Sequence, residues 1–501
     1  MTYLEAEDSA LPTQLPTRAA VPETSSLVRD LNWKPTTWLL LVVLCGALFL
    51  DSLDLSMVGV ALPSIGASLH LSADALQWIV SGYILGYGSL LLLGGRASDL
   101  LGRRPVFLAA VAVFGAASVV SALLSNDLAL IALRFVKGAS AAFTVPAGLS
   151  IITTTFAEGP VRNRALSIYT VCGASGFSLG LVVGGILTEL GWRATFLVPG
   201  PLAIALVAAG WALIPRTARQ RVSLRHFDLT GALTSTVSLL LLVLAVVEAP
   251  HRGWTSVFTI GLLASSAVLM TAFLLVERRH AHPLLRLGVL RSGALLHANM
   301  AAAAMFGGYA AFQFVVTLYV QNTLGWSPLG MALAFLPAGM LVALSATKMD
   351  AVLSRFNTRT LILFGLLAFV LGYGWFLRAG PSMSYANFML PTMLLLGVGF
   401  ALTFPSVNAQ ATNGVAEHEQ GLASGLLNTS LQIGGAVVLA VVTAILTSAG
   451  AGQALPGHPL PGMTTAIGVI VAVTLTAFIL TLFQLRDRTS GPRPGAAAQT
   501  N

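Results

Sequence analysis

The chain has 501 residues, of which 56% are hydrophobic and 9% charged, with a formal net charge of +8 and a mean hydropathy of +0.83. A water-soluble protein of this length needs far more charge to cover its surface, so the composition excludes a soluble globule and points to a polytopic membrane protein. The positive excess does not signal nucleic acid, because the basic residues sit in short clusters between apolar runs, where they orient spans.

Residues 1–35 are rich in Pro, Thr, Ser and Glu and lack an apolar core. They read as a disordered cytoplasmic tail and not as a cleaved signal peptide. The end of the chain, residues 487–501, reads the same way. Between the tails, a helix needs roughly 20 apolar residues to cross the hydrocarbon core. By that measure fourteen spans are expected, beginning near Trp38, Leu76, Val106, Leu128, Ala165, Leu202, Leu229, Val257, His297, Pro328, Arg359, Met383, Gly421 and Thr464.

Placing the N-terminus inside puts Arg96, Arg103, Arg104, Arg162, Arg164, Arg216, Arg278, Lys348, Arg355 and most other basic residues on the cytoplasmic side. Only Arg193, Arg252 and Arg378 remain for the external loops. One miscounted span would invert every later loop, so both termini are expected in the cytoplasm. Glu189 and Glu248 fall near external helix ends, where they are expected to face water.

The first span contains "LDSLDLSMVGVALP" (50–63), which places Asp51 and Asp54 on one helical face. Arg134 and Lys137 are likewise three apart on the fourth span. An isolated charge at mid-membrane costs about 2.5–3.5 kcal/mol on insertion scales, and pairing of these four would cancel that cost. Two readings fit: a fixed ion-pair network that holds two helices in register, or a carboxylate that exchanges a proton as its surroundings alternate. The second is favoured for Asp54, while Asp51 fits either. Arg134 offers a fork to a carboxylate or a carbonyl. Lys137 reads equally as a second counter-charge or as a side chain reaching toward a polar surface.

A weak internal repeat aligns "SDLLGRRPVFL" (98–108) with "SRFNTRTLIL" (354–363) and "ALSIYTVCGASG" (165–176) with "ASGLLNTSLQIGG" (423–435). Both offsets are roughly 255 residues, which suggests two parallel halves, 36–218 and 293–486, separated by an inserted pair of helices over 219–292. The second half contributes polar and aromatic side chains within its spans, including Tyr309, Phe312, Gln313, Tyr319, Gln321, Asn408, Gln410, Asn428 and Gln432. With Trp78 and Tyr83 of the second span, Tyr309, Phe312, Gln313, Asn428 and Gln432 are the candidates for a substrate cavity; each aromatic also reads as ordinary helix packing.

Several stretches carry a family likeness. "GGRASDLLGRRPV" (94–106) holds Gly95, Asp99, Gly102, Arg103 and Arg104 in the G-x-x-x-D-x-x-G-R-R pattern of the loop between the second and third helices of the major facilitator superfamily. "LDLSMVGVALPSI" (53–65) is similar to the first-helix motif of its fourteen-helix drug:proton antiporter branch, with Asp54 at the motif's acid, Ser56 in place of Thr and Gly59 in place of Asn. "QWIVSGYIL" (77–85), "LIALRFVKGASAA" (130–142), "GWRATFLVPGP" (191–201), "FDLTGA" (227–232), "LYVQNTLGWSPLGMALAFLP" (318–337) and "GLASGLLNTSLQIGGA" (421–436) extend the resemblance over nearly the whole chain.

There are departures. Lys137 stands where the branch has Gln. In the fifth-helix antiporter motif, "GFSLGLVVGG" (176–185) keeps Gly176, Gly180, Gly184 and Gly185 but has Leu181 in place of the proline, which removes an expected bend. Glycines at this spacing line one helix face and permit close packing.

The resemblance implies an all-α fold of two six-helix halves plus two inserted helices. It also implies that the first and fourth helices border a central cavity, with Asp54, Asp51, Arg134 and Lys137 as candidates for proton coupling. The expected function is export of a bulky amphipathic molecule, such as an antibiotic or toxic metabolite, in exchange for protons across a bacterial-type cytoplasmic membrane by a monomer in contact with lipid. A proton-coupled importer is the alternative. No G-x-x-x-x-G-K-S/T occurs, so an ion gradient and not ATP is the expected energy source.

A membrane enzyme is a weaker reading, because the eight histidines are scattered; "HAH" (280–282) lies in a basic loop and reads as solvated, not as a metal site. Cys45 and Cys172 lie in apolar segments and read as small buried hydrophobes. No cofactor, metal or nucleic acid is expected.

Overall fold

The computed structural model describes residues 33–157, 160–216, 229–279, 293–346, 348–380, 384–412, 420–450 and 460–489. Most of both expected tails, the start of "FDLTGA", the "HAH" segment and the loops flanking the inserted pair lie outside the described residues.

The first half comprises α1 (Pro35–Leu69), α2 (Ala73–Leu101), α3 (Arg103–Leu123), α4 (Asp127–Thr155), α5 (Pro160–Leu190), the short α6 (Arg193–Leu197) and α7 (Pro199–Leu213). Two further helices follow, α8 (Leu229–Arg252) and α9 (Val257–Arg279). The second half comprises α10 (Gly293–Leu318), α11 (Pro328–Ala346), the short α12 (Met349–Arg355), α13 (Thr358–Phe376), α14 (Leu390–Thr412), α15 (Gln420–Ser448) and α16 (Met463–Thr489). One π-turn, Tyr319–Thr323, prolongs α10, and another, Tyr385–Met389, leads into α14.

No strand occurs among the described residues. Twelve helices there are long and apolar enough to cross a membrane, and α2 and α8 carry shorter apolar stretches at Ala75–Leu91 and Leu233–Val246.

Local signals set the boundaries. Side chains of Ser72, Asn126 and Asn357 accept hydrogen bonds from the first turns of α2, α4 and α13. Gly102 ends α2 and opens α3 at φ 96°, a conformation that glycine tolerates and other residues resist.

Outward-facing positions such as Leu190, Ile204, Val257, Val268 and Leu344 are exposed and apolar, as a lipid-facing surface requires. Lipid gives no hydrophobic drive for helices to associate, so close approach of small residues holds them together. Gly82, Gly86 and Gly94 of α2 meet the backbone of α4, and Gly138 of α4 meets α2 so closely that a Cβ there would collide with the Tyr83 carbonyl oxygen. Gly307 of α10 and Gly434 of α15 do the same in the second half.

The seam between the halves is reciprocal: α5 packs on α11, and α2 packs on α15. That is the pattern a repeat offset by roughly 255 residues would give, the fifth helix of each half meeting the second helix of the other. α10 is central, with 83% of its span buried, whereas α9 is peripheral at 17%. α8 contacts both α2 and α15, through a cluster of Ile84, Leu85, Val243, Val246, Ala436 and Ala440. α9 is pinned to α8 by two reciprocal bonds of 2.8 Å, each of Ser238 and Ser266 donating its hydroxyl to the other's carbonyl oxygen.

Candidate functional site

Asp54 is completely buried in the first half and does not point to lipid. Arg134 donates through Nη1 to Asp54 Oδ2 at 2.5 Å, and Lys137 donates through Nζ to Asp54 Oδ1. Arg134 Nε also donates to the Ile79 carbonyl oxygen of α2 at 3.0 Å, and its guanidinium lies 4.7 Å from the centre of the Tyr83 ring. Lys137 Nζ lies 4.7 Å from the Phe114 ring and 5.5 Å from Phe196. One carboxylate thus ties α1 to α4, and one arginine ties both to α2. The Gly138–Tyr83 contact brings α4 close enough for this to happen.

Asp51 is one helical turn away and also buried, but neither cation reaches it. Its Oδ2 has no hydrogen-bond partner among the described residues. It lies within electrostatic reach of Lys137, Tyr83, Tyr87 and Tyr169. The two carboxylates that sequence places on one face therefore differ: Asp54 is doubly paired, and Asp51 borders a tyrosine cluster. Sequence reasoning missed Tyr87 and Tyr169. Tyr87 was findable, since it follows Tyr83 by one turn and their rings lie 6.2 Å apart.

At the seam a small cavity of about 40 Å³ is bounded by Leu55, Gly59 and Leu62 of α1, Val80 and Ile84 of α2, Phe177 of α5, and a face of α10 that includes Phe306, Tyr309 and Gln313. Sites for drug-sized molecules are typically about 300–1,000 Å³, so in this conformation the seam has room for water but not for a bulky substrate. Gln313 Nε2 would lie 3.0 Å from a Cβ on Gly59, so the amide fills the space that a larger residue at 59 would take.

The remaining candidates separate. Gln432 is at the seam, against Gly88 of α2. Trp78 packs beside the α2–α8–α15 cluster, and Tyr83 lies under Arg134. Phe312 packs against Tyr373 and Phe376 inside the second half, with ring centres 5.0 and 5.1 Å away. Asn428 donates to the Ser424 carbonyl oxygen of its own helix at 3.0 Å. Gln321 bridges the halves instead, donating to the Val60 carbonyl oxygen at 2.9 Å.

In the loop motif, Gly102 makes the turn. Gly95 has space, its Cβ position lying 3.8 Å from Pro146. Arg104 donates to the Trp211 carbonyl oxygen at 2.5 Å and stacks over the Trp211 ring, so it braces α3 against α7 within its own half. Of Asp99 only the helical backbone is described.

In the fifth-helix motif, α5 runs unbroken through Leu181. A Cβ on Gly176 would lie 2.5 Å from the Phe49 carbonyl oxygen, one on Gly180 2.6 Å from that of Leu53, and one on Gly184 2.7 Å from Met57 Cα, all on α1. Gly185 faces the other way, 2.8 Å from Leu329 Cα of α11. Glu189 is exposed as expected, while Glu248 is partly shielded by Arg252, 2.8 Å away.

Comparison with known proteins agrees with this architecture. The chain is 34% identical to the puromycin resistance protein pur8 of Streptomyces alboniger over 97% of this chain and 98% of that one. It is 34% identical to the cephamycin export protein CmcT of Amycolatopsis lactamdurans over 82% and 86%. In fold it is similar to the POT family transporter PepTSo, with a TM-score of 0.67 at 14% identity over 90% of this chain and 99% of that one. With residues 44–439 matching the family model as well, this multi-pass membrane chain belongs to the Major Facilitator Superfamily.

Proposed function

We propose that this chain is a secondary active transporter of the bacterial cytoplasmic membrane that exports a bulky amphipathic molecule, such as an antibiotic or toxic metabolite, in exchange for protons. The observation that carries the reading is the buried Asp54 held by both Arg134 and Lys137 in a chain whose relatives are named for antibiotic resistance and export. A charge this deep is functional by default in membrane helices. The ion cluster ties together α1, α2 and α4 of the first half, and α1 and α2 line the seam cavity, so its protonation is positioned to follow the rocking of one half against the other.

In this reading the chain crosses the membrane fourteen times, with α2 and α8 completing the set and α6–α7 counted as one, and both termini are cytoplasmic. Residues 36–218 and 293–486 form the two halves around the inserted pair in 219–292. Asp54, with Arg134 and Lys137, forms the coupling group, and Asp51 is its companion. The α2–α3 loop, Gly95 to Arg104, and the α5 glycines serve the conformational change, and a monomer suffices.

The test is drug-dependent proton movement in proteoliposomes under an imposed pH gradient, with Asp54→Asn and with Asp54→Asn/Lys137→Gln, which removes one of the two cations left without a partner. Loss of coupled movement in both variants is the expected result; undiminished coupling in either overturns the role of Asp54. Resistance to a toxicity panel in an efflux-deficient host, lost when the proton gradient is collapsed, separates export from import.

A further inference from the structure

We infer that the seam site takes an uncharged, ring-bearing amphiphile, held by Tyr309 and Gln313, and neither a cation nor an anion; this rests on the export reading and narrows its substrate. Among the described residues the cavity wall contains no carboxylate and no basic side chain, and Tyr309 and Gln313 are its only side chains able to hydrogen bond. Neither the Tyr309 hydroxyl nor the Gln313 amide has a hydrogen-bond partner among the described residues, so both are available to a ligand.

Three of the nearby charges are not available, and the fourth, Asp51, keeps an unpaired Oδ2 but does not line the cavity. Asp54, Arg134 and Lys137 have no exposed surface, and both Asp54 oxygens are taken. The opposite half offers no acidic replacement. Over residues 293–486 the acidic residues are Asp350, Glu417 and Glu419, placed in the sequence between the long helices and not within them.

The wall does offer rings. Phe177 of α5 and Tyr309 of α10 line it with ring centres 5.9 Å apart; outside the lining, Phe400 of α14 lies 5.8 Å from Tyr309, and Phe404 stacks on Phe400 at 5.4 Å. Such a surface binds planar apolar groups, and two polar handles orient them. A cation would gain some attraction from the rings but would lose its hydration without a counter-charge, and the second effect is the larger.

The test uses three pyrenes that share one ring system: 1-pyrenemethanol, 1-pyrenemethyl-trimethylammonium and 1-pyrenecarboxylate. Binding to the full-length protein in detergent is read by energy transfer from its tryptophans. The alcohol is expected to bind about tenfold or more tighter than either ion, because an unpaired charge is desolvated on entry. Gln313→Glu should reverse the order of alcohol and ammonium, and Tyr309→Phe, which keeps the ring, should weaken the alcohol while leaving the fold intact.

Equal or tighter binding of the ammonium by the wild type, or binding of none of the three, overturns the inference. The same probes in proteoliposomes loaded with a pH dye separate it from the export reading. Proton movement driven by an ionic pyrene and not by the alcohol leaves export standing and removes this inference. Tight, selective binding of the alcohol with no proton movement for any probe keeps the inference about the site and removes export.

Discussion

Lys137 reaches Asp54 Oδ1 although Arg134 already holds Oδ2, so one buried carboxylate carries two cations with no exposed surface on any of the three. Their formal charges leave an excess of +1. The other carboxylate on that face of α1 is Asp51, within electrostatic reach of Lys137 but not bonded to it. Asp51 in its ionised form would bring the cluster to zero, which ties the unusual lysine to the second aspartate and not only to the first.

That tie is measurable. Asp51→Asn and Lys137→Gln are each expected to lower the thermal stability of the purified protein. The double variant should lose less than the sum, with a coupling of about 0.5–3 kcal/mol, as for residues sharing one charge network. Strict additivity in thermal unfolding would show that Lys137 answers to Asp54 alone.

The glycines of α5 serve two different contacts, and alanine scanning should separate them. Gly184→Ala puts a methyl against Met57 within the first half. Overpacking of this kind costs about 1–3 kcal/mol, and it should appear as a lower unfolding temperature. Gly185→Ala puts the methyl against Leu329 across the seam. There the halves can part, so the expected readout is a change of conformation: faster labelling of a cysteine placed at Gln313 in a cysteine-free background, with the unfolding temperature nearly unchanged. Equal stability losses at both positions would contradict this division.

Much of this was legible in the sequence. The all-helical build and the burial of the four charges followed from hydropathy and spacing of three on a helix, whereas of the fourteen expected spans twelve are long and apolar enough among the described residues. Which carboxylate receives the cations was not, because Asp51 and Asp54 share a face and only the rotation of α1 against α4 decides between them. Nor was the different orientation of Gly185, which adjoins Gly184 but points about 100° away around the helix. The cavity candidates divided for a similar reason. Tyr309 and Phe312 look alike in sequence, yet one faces the seam and the other the interior of its own half.

Gly59 stands where the resembling motif has Asn, and Gln313 of the opposite half occupies the space released. Gly59→Asn is therefore expected to keep the seam from closing and to slow transport, while Gly59→Asn/Gln313→Ala, which clears the space, should recover a large part of the rate. Initial rates of drug-dependent proton movement in proteoliposomes check this. A double variant no faster than the single one would mean that residue 59 acts through some other contact.

An uncharged substrate has an energetic consequence. Exchanging a neutral molecule for even one proton moves net charge inward in each cycle, whereas exchanging a monovalent cation for one proton moves none. A charge crossing the membrane gains about 2.3 kcal/mol per 100 mV. Proteoliposomes loaded with 1-pyrenemethanol and given an interior-negative potassium diffusion potential, with no pH gradient, should therefore acidify faster than the same vesicles without the potential, as protons enter against leaving pyrene. The same vesicles loaded with the trimethylammonium analogue should show no such response. Because the two probes share a ring system, an acceleration by the potential confined to the alcohol is the expected result; an equal acceleration with both probes, which needs the ammonium to leave against more than one proton, would show that the path carries a cation past the uncharged wall of Tyr309 and Gln313.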